Sequence, residues 1–298
     1  MGAETVLITQ PKSAIREDVK QAVEFARNAG CMFRVLVPFD VEENQRILRE
    51  AVAQGARRII AGGGDGTINA TINSLMALKT EGIDVEMGVL PLGTANDFAR
   101  GMGIPLTDLG KCLQTACSAP AEFIDIGKIN DRYFANVASL GFGAEVTATT
   151  PPGMKKALGG AAYSLSGFVK ARNLEPYPCR VSAPGEEPQE GRMLFMAVGN
   201  NRYAGGGYDV APMANLSDGK LDLAAFTVDP GFTLSALKSE LTNPADPANK
   251  SIRYAQLSAF TITSEKELHC NLDGEPMIST NFDFSVVPDA LRVAGIAA

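Results

Sequence analysis

The sequence predicts an α/β domain built on an open parallel sheet, followed by a second, mostly antiparallel β domain. Three observations carry that prediction. Short apolar runs alternate with stretches of helical period over residues 1–122. Two glycine turns interrupt the alternation, each placed after an apolar run and before a helical pattern. From residue 123 onward the pattern changes to short strands joined by tight turns. At 298 residues the chain is long enough to bury two cores.

Residues 5–9 read as a first apolar strand. Ile15, Val19, Ala22, Val23 and Ala26 then recur at helical spacing, and Gly30 ends the helix. Residues 32–37 form a second strand. The next helix has Ile47, Leu48, Ala51 and Val52 on one face and Gly55 as its stop. A third strand, 58–61, feeds the first glycine turn, and Ile68, Ile72, Leu75 and Met76 line the helix beyond it. Residues 85–90 make a fourth strand, with short helices at 97–102 and 107–117. Strands alternating with helices imply a parallel sheet covered on both faces.

In the second part, a strand at 123–129 turns at Asn130-Asp131 into 132–138, a hairpin. Further strands are expected at 179–182, 193–199, 220–227, 257–264 and 268–272. One helix, 154–172, interrupts them with Lys155, Lys156, Tyr163, Phe168, Lys170 and Arg172. The favoured reading is an amphipathic helix packed between domains, and the alternative is a basic, partly apolar surface that approaches a bilayer. A short helix is expected at 233–241. The domains are placed at 1–122 and 123–298, with the C-terminal tail able to return to the first.

Bulk properties exclude several function classes. A net charge of −7 argues against a nucleic-acid binder and against broad adsorption to anionic membrane. The 5 cysteines are scattered without CxxC spacing, so neither a disulfide framework nor a zinc site is expected. With 1 histidine, His269, and no GxSxG elbow, a serine triad has little support. The N-terminus has neither the basic region nor the apolar stretch of a secretory signal, and no run is long and apolar enough to span a bilayer. A cytoplasmic protein with at most peripheral membrane contact is expected.

The chemistry gathers at three places. Gly62-Gly63-Gly64-Asp65-Gly66-Thr67-Ile68-Asn69 runs from strand end to helix start. Glycines let backbone N–H groups approach an anion, and a helix N-terminus adds unpaired donors and partial positive charge. A carboxylate in a phosphate cradle repels the ligand unless a cation lies between, so Asp65 points to a metal or a catalytic role; the plain alternative is a tight turn with an Asp N-cap. Leu92-Gly93-Thr94-Ala95-Asn96-Asp97 repeats the strand, turn and helix-start pattern. Turns at the same ends of neighbouring parallel strands would face one crevice. In the second domain, Asn215 to Lys220 carries Asp218-Gly219, either a turn or an oxygen site for a hard cation. Asn271-Leu272-Asp273-Gly274-Glu275-Pro276 presents two carboxylates at a strand end, suited to take a proton from a hydroxyl. Phosphate-type turns, isolated acids and no nucleophile set suit phosphoryl transfer.

Taken in order and spacing, these motifs resemble the diacylglycerol-kinase-like lipid kinases, closest to the bacterial YegS-type branch, over nearly the whole chain. The resemblance implies ATP-dependent phosphorylation of a lipid primary hydroxyl, such as that of diacylglycerol or phosphatidylglycerol. It implies an N-terminal domain like those of NAD kinase and phosphofructokinase, a C-terminal β-sandwich, and the nucleotide in the cleft between them. By motif, Gly63, Gly64, Asp65, Gly66, Thr67, Ile68 and Asn69 would hold the ATP phosphates, joined by Thr94, Asn96 and Asp97. Asp65, with Asp97, would help place a catalytic Mg2+. A structural Mg2+, with Ca2+ as a substitute, would be bound by Asp218 and backbone oxygens of Asn215 and Lys220. Asp273 and Glu275 both match the position of the general base.

Three residues depart from the family pattern: Ala70 where Glu is usual, Pro38 where a hydroxyl residue often touches ATP, and Lys220 where Leu is frequent. Two rival readings stay open. A kinase for a soluble acceptor such as NAD would act without lipid, and a catalytically silent nucleotide- or lipid-binding protein would bind without transfer.

Overall fold

The computed structural model describes residues 4–141, 176–227, 239–240 and 243–295. They divide into two compact units, Met1–Ile126 with Pro288–Ala298, and Gly127–Val287. The expected helix at 154–172 lies outside the described residues, as does most of that at 233–241.

The first unit holds β1 (Glu4–Thr9), α1 (Pro11–Ala14), α2 (Glu17–Asn28), β2 (Phe33–Leu36), α3 (Val41–Ala53), β3 (Ala56–Gly63), α4 (Asp65–Thr80), β4 (Glu86–Pro91), α5 (Asp97–Gly101), α6 (Leu109–Ser118) and the start of β5 (Ala121–Ile129). Val6, Leu7, Ile59 and Ile60 are fully buried, as expected of parallel strands covered on both faces. β1 pairs in parallel with both β2 and β3, and β3 pairs in parallel with β4. The chain therefore leaves β1 toward one edge and returns to build the other, which makes the carboxyl ends of β1 and β3 a topological switch point.

Local chemistry explains the helices. α2 opens on Glu17 and Asp18, carries Arg27 in its last turn, and buries Val19, Ala22 and Ala26. Ile15, expected on that buried face, instead precedes the helix and is 74% exposed, because α1 already occupies the turn before it. α3 is capped by Asp40, whose side chain accepts the Glu43 N–H, while the Glu43 carboxylate accepts the Phe39 N–H.

The second unit contains the rest of β5 and β6 (Arg132–Phe134), β7 (Val137–Gly141), β8 (Tyr177–Ser182), β9 (Gln189–Gly199), β10 (Tyr203–Ala204), β11 (Tyr208–Asp209), β12 (Leu221–Thr227), β13 (Ile252–Leu257), β14 (Ala259–Leu272) and most of β15 (Glu275–Ala294). Pairing runs β13-β12-β9-β7-β14-β15, with antiparallel registers throughout this part. Phe134, Phe260, Phe282 and Phe284 anchor its core, the Phe260 and Phe284 rings stacked at 5.0 Å. The last residues of β15 pair in parallel with β4 in the first unit, through Val293 and Met87.

Two sequence expectations are redrawn. The strand expected over 132–138 breaks at Ala135 and Asn136 into β6 and β7, because their N–H groups turn to a carboxylate. The strands expected at 257–264 and 268–272 are largely one strand, β14, with a register shift between Thr263 and Leu268.

Candidate active site

In the first unit the two glycine turns are locked to each other. The Leu92 N–H donates to Gly63 O at 2.9 Å. A Cβ on Gly93 would lie 2.5 Å from Gly64 Cα, so only glycine permits this approach. Gly64 is the N-cap of α4, and Asp65 is its first residue rather than its cap. The Asp65 Oδ1 instead accepts the Phe98 N–H at 3.0 Å, at the start of α5. Burial pushes the Asp65 carboxyl above its ordinary value; the Phe98 N–H opposes the rise, and the charge of Asp97 adds to it. Asp97 is itself buried. Two neighbouring carboxyl groups give this turn oxygen donors of the kind that suit Mg2+.

The remaining residues named from sequence fall around these turns in different roles. A Cβ on Gly66 would meet nothing within 4 Å, so its backbone faces open space. Thr67 Oγ1 accepts from Gln10 Nε2 at 3.1 Å, tying the end of β1 to the turn. Ile68 is fully buried, and Asn69 Oδ1 accepts from Asn73 Nδ2 at 3.0 Å. Thr94 is exposed in the second turn. Asn96 adopts a left-handed conformation, φ 52°, and its side chain grips both the N–H and the carbonyl of Gly93.

A cavity of about 430 Å³ opens at the carboxyl ends of β1, β2 and β3. Its lining includes Gly66 and Thr67 on one side and Pro38, Phe39, Asp40 and Asn44 on the other, with Thr9, Gln10 and Ala70. That volume lies within the range of about 300–1,000 Å³ typical of small-molecule pockets. Pro38 and Ala70, two of the three departures from the family pattern, both line it. Thr9 and Asn44 escaped the sequence reading. The available signal was a polar residue closing the apolar run of β1, and one placed four residues before buried Leu48 on the inner face of α3.

In the second unit Asp273 and Gly274 form the turn between β14 and β15, both at positive φ, 49° and 99°. The Asp273 carboxylate accepts the N–H groups of Ala135 at 2.7 Å, Asn136 at 3.0 Å and Val137 at 3.0 Å. This cluster explains the break between β6 and β7. Glu275 is different: its side chain is 59% exposed and pairs with Arg132. Asn200 and Asn201, both buried, brace the same corner by donating to Ala135 O and Asn136 Oδ1.

Asn215, Asp218 and Lys220, which precede β12, stand at the same end of this sheet. Register places Asp222 beside Gly199, and Gly199 beside Val137, whose carbonyl accepts the Asp273 N–H. Three strand spacings of ~4.8 Å put the start of β12 on the order of 14 Å from the Asp273 turn. Asp218 Oδ1 accepts the Lys220 N–H at 3.0 Å, and Asn215 Oδ1 accepts the Ser217 N–H at 3.1 Å. Asp222 is fully buried and accepts from Tyr254 Oη at 2.6 Å. Burial pushes the Asp222 carboxyl up, bonds from Tyr254 and Gln256 oppose this, and the charge of Asp218 raises it further. One carboxylate with backbone carbonyls, beside a second acid, fits a hard divalent cation. Among the described residues no cluster of three or more His, Cys, Asp or Glu side chains forms a conventional metal cage.

Comparison with known proteins bears on the family and the fold. The diacylglycerol kinase catalytic domain family matches residues 4–129. The YegS C-terminal NAD kinase beta sandwich-like domain family matches residues 136–295. A "Probable lipid kinase YegS-like" of Chromohalobacter salexigens is 40% identical over 295 residues, covering 98% of this chain and 93% of that protein. The crystal structure of a diacylglycerol kinase from Bacillus anthracis superposes with a TM-score of 0.76 at 19% identity, covering 99% of this chain and 97% of that one. An NAD kinase from Archaeoglobus fulgidus in complex with ATP superposes with a TM-score of 0.54 at 12% identity, covering 99% and 93%. These two structural likenesses bear on the fold.

Proposed function

The chain belongs to the diacylglycerol-kinase-like lipid kinases of the YegS branch, and from that membership we propose that it transfers the γ-phosphoryl group of ATP to the primary hydroxyl of a membrane lipid in a Mg2+-dependent reaction. The observation that carries the reading is the cavity at the carboxyl ends of β1 to β3, with Gly66 and Thr67 of the locked glycine turn in its wall. In this reading Gly63 to Asn69 and the start of α4 take the phosphates, with Thr94 from the second turn. Asn96 acts as a positioning residue that holds Gly93.

Glu275 is the proposed base. The lipid hydroxyl oxygen forms a bond to the γ-phosphorus, the bond to the bridging oxygen of ADP breaks, and the hydroxyl proton passes to the Glu275 carboxylate. Asp273 is less suited to that task, because its oxygens are engaged by backbone N–H groups. It positions the turn instead. A divalent cation held by Asp65 and Asp97 would neutralise phosphate charge, and one held by Asp218 with carbonyls of Asn215 and Lys220 would brace the loop.

Diacylglycerol, phosphatidylglycerol and related lipids all present a primary hydroxyl. Among the described residues no helix is long and apolar enough to cross a membrane. A membrane-lipid acceptor would put the enzyme in peripheral contact with the cytoplasmic membrane surface. The test is transfer of labelled γ-phosphate from ATP with Mg2+ into total bacterial lipid in mixed micelles, resolved by chromatography. A labelled lipid is expected. Label appearing instead on NAD, without lipid, would replace this reading with that of a soluble-acceptor kinase.

A further inference from the structure

Among the buried polar atoms of the first unit that have no hydrogen-bond partner, two belong to residues lining the same cavity. They are Thr9 Oγ1 and Asn44 Oδ1, on side chains 1% and 6% exposed. Leaving such atoms buried without partners is unfavourable, so their presence calls for a partner supplied from outside the chain. Lys12 and Asp40 add charged groups to the wall. Pro38 and Ala70 carry no side-chain donor or acceptor, and Gln10 Nε2 is engaged by Thr67.

Position decides which part of a ligand these atoms meet. Thr9 is the last residue of β1, between β2 and β3, and Asn44 lies in the first turn of α3. The phosphate-type turn supplies Gly66 and Thr67 on another side of the cavity. A nucleotide anchored there by its phosphates would extend its nucleoside toward Pro38 and Asn44. Apolar walls suit the faces of a heteroaromatic ring, while an amide oxygen and a hydroxyl can read its edge.

We infer that Thr9 and Asn44 select adenine: Asn44 Oδ1 accepts from the exocyclic 6-amino group, and the Thr9 hydroxyl donates to a ring nitrogen of the same base. This rests on reading the cavity as the ATP site. Guanine presents an oxygen where adenine presents the amine, so it would set acceptor against acceptor. A buried site built to pair with a donor discriminates against a ligand that lacks it.

The test measures dissociation constants of the full-length chain for Mg-ATP, Mg-GTP and the 6-deamino analogue purine riboside triphosphate, by calorimetry without lipid. Melting temperatures are taken without nucleotide. The wild type should bind the analogue and GTP about tenfold more weakly than ATP, the loss of one well-placed hydrogen bond. Asn44→Leu should weaken ATP about tenfold, leave the analogue unchanged and bind GTP no more weakly than wild type does, which erases the preference. Thr9→Val should weaken ATP comparably, and Thr9→Ser should restore it. The nucleotide-free melting temperature of Asn44→Leu should hold or rise, because an unsatisfied atom has been removed.

Equal affinity of the wild type for ATP and the 6-deamino analogue overturns the inference even if a variant fails to fold, since that comparison needs no variant. Unchanged ATP affinity in both folded variants, Asn44→Leu and Thr9→Val, also overturns it while leaving the ATP site intact. A wild type that binds none of the three nucleotides overturns both the inference and the reading on which it rests.

Discussion

The carboxylate of Asp65 accepts the backbone N–H of Phe98, so the acid of the first glycine turn fastens the helix that follows the second. Desolvation and the nearby charge of Asp97 both make the ionised Asp65 unfavourable in the protein without a cation. Several expectations can be argued from it and from its counterparts in the second unit.

Asp65→Asn keeps an acceptor for the Phe98 N–H and removes the charge. The folded-state pKa of Asp65 lies above its ordinary value, chiefly through burial. Its contribution to stability is therefore fully present below the ordinary carboxylate pKa and is lost as pH rises through the raised value. Without metal or nucleotide, Asp65→Asn should lose less stability than wild type across that rise. Its turnover should fall by roughly 10²–10⁴. Melting temperatures at a series of pH values, with steady-state kinetics, check both halves.

Gly93→Ala and Gly66→Ala should behave oppositely. A Cβ at Gly93 collides with Gly64 Cα and with Asn96 Oδ1 at 2.8 Å, forcing apart the two locked turns. Destabilisation of about 1–3 kcal/mol is expected, with loss of ATP binding. A Cβ at Gly66 meets no protein atom within 4 Å. Inside α4 it should stabilise the protein by roughly 0.5–1 kcal/mol while obstructing the phosphates. Chemical denaturation paired with ATP titration separates the two effects.

Asp273→Asn should cost stability. Asparagine tolerates the left-handed backbone at this position, so strain is not the cause. Its amide replaces a carboxylate that accepts from Ala135, Asn136 and Val137, at a cost of roughly 2–3 kcal/mol. Denaturant midpoints for Asp273→Asn and Glu275→Gln should differ, with the exposed Glu275 site near wild type.

Mg2+ should raise the melting temperature, and Asp218→Ala should abolish the part of that rise owed to the cation loop. The stabilisation should grow with pH, because a carboxylate binds a hard cation only in its deprotonated form. Differential scanning fluorimetry with and without Mg2+ from acidic to neutral pH checks it. A Mg2+ response unchanged in Asp218→Ala would place the ion elsewhere.

The first unit was readable from sequence because its signals are local. Apolar runs such as Val6 to Ile8 and helical repeats such as Ile68, Ile72 and Leu75 each declare their element without help from distant residues. The second unit depends more on partners far along the chain. β15, 20 residues long, went unread because exposed Glu275, Pro276 and Asn281 and a mixed pattern hide it. The break at Ala135 and Asn136 is set by Asp273, more than a hundred residues away. The charged run Glu265-Lys266-Glu267 lies between the two expected strands, where the structure has a register shift within one. At the candidate site the glycine turns are visible as motifs, whereas the choice between Asp273 and Glu275 depends on which carboxylate the backbone engages. Thr9 and Asn44 meet only because parallel order brings the end of β1 beside the start of α3.

The most direct single measurement is incorporation of labelled γ-phosphate from ATP into lipid micelles by wild type and Glu275→Gln, at matched and saturating ATP. The account expects wild type to label a lipid and Glu275→Gln to lose roughly 10²–10⁴ in turnover with ATP affinity kept. Undiminished labelling by Glu275→Gln would contradict the assignment of the base, and no labelled lipid from a wild type that binds ATP would contradict the proposed reaction itself.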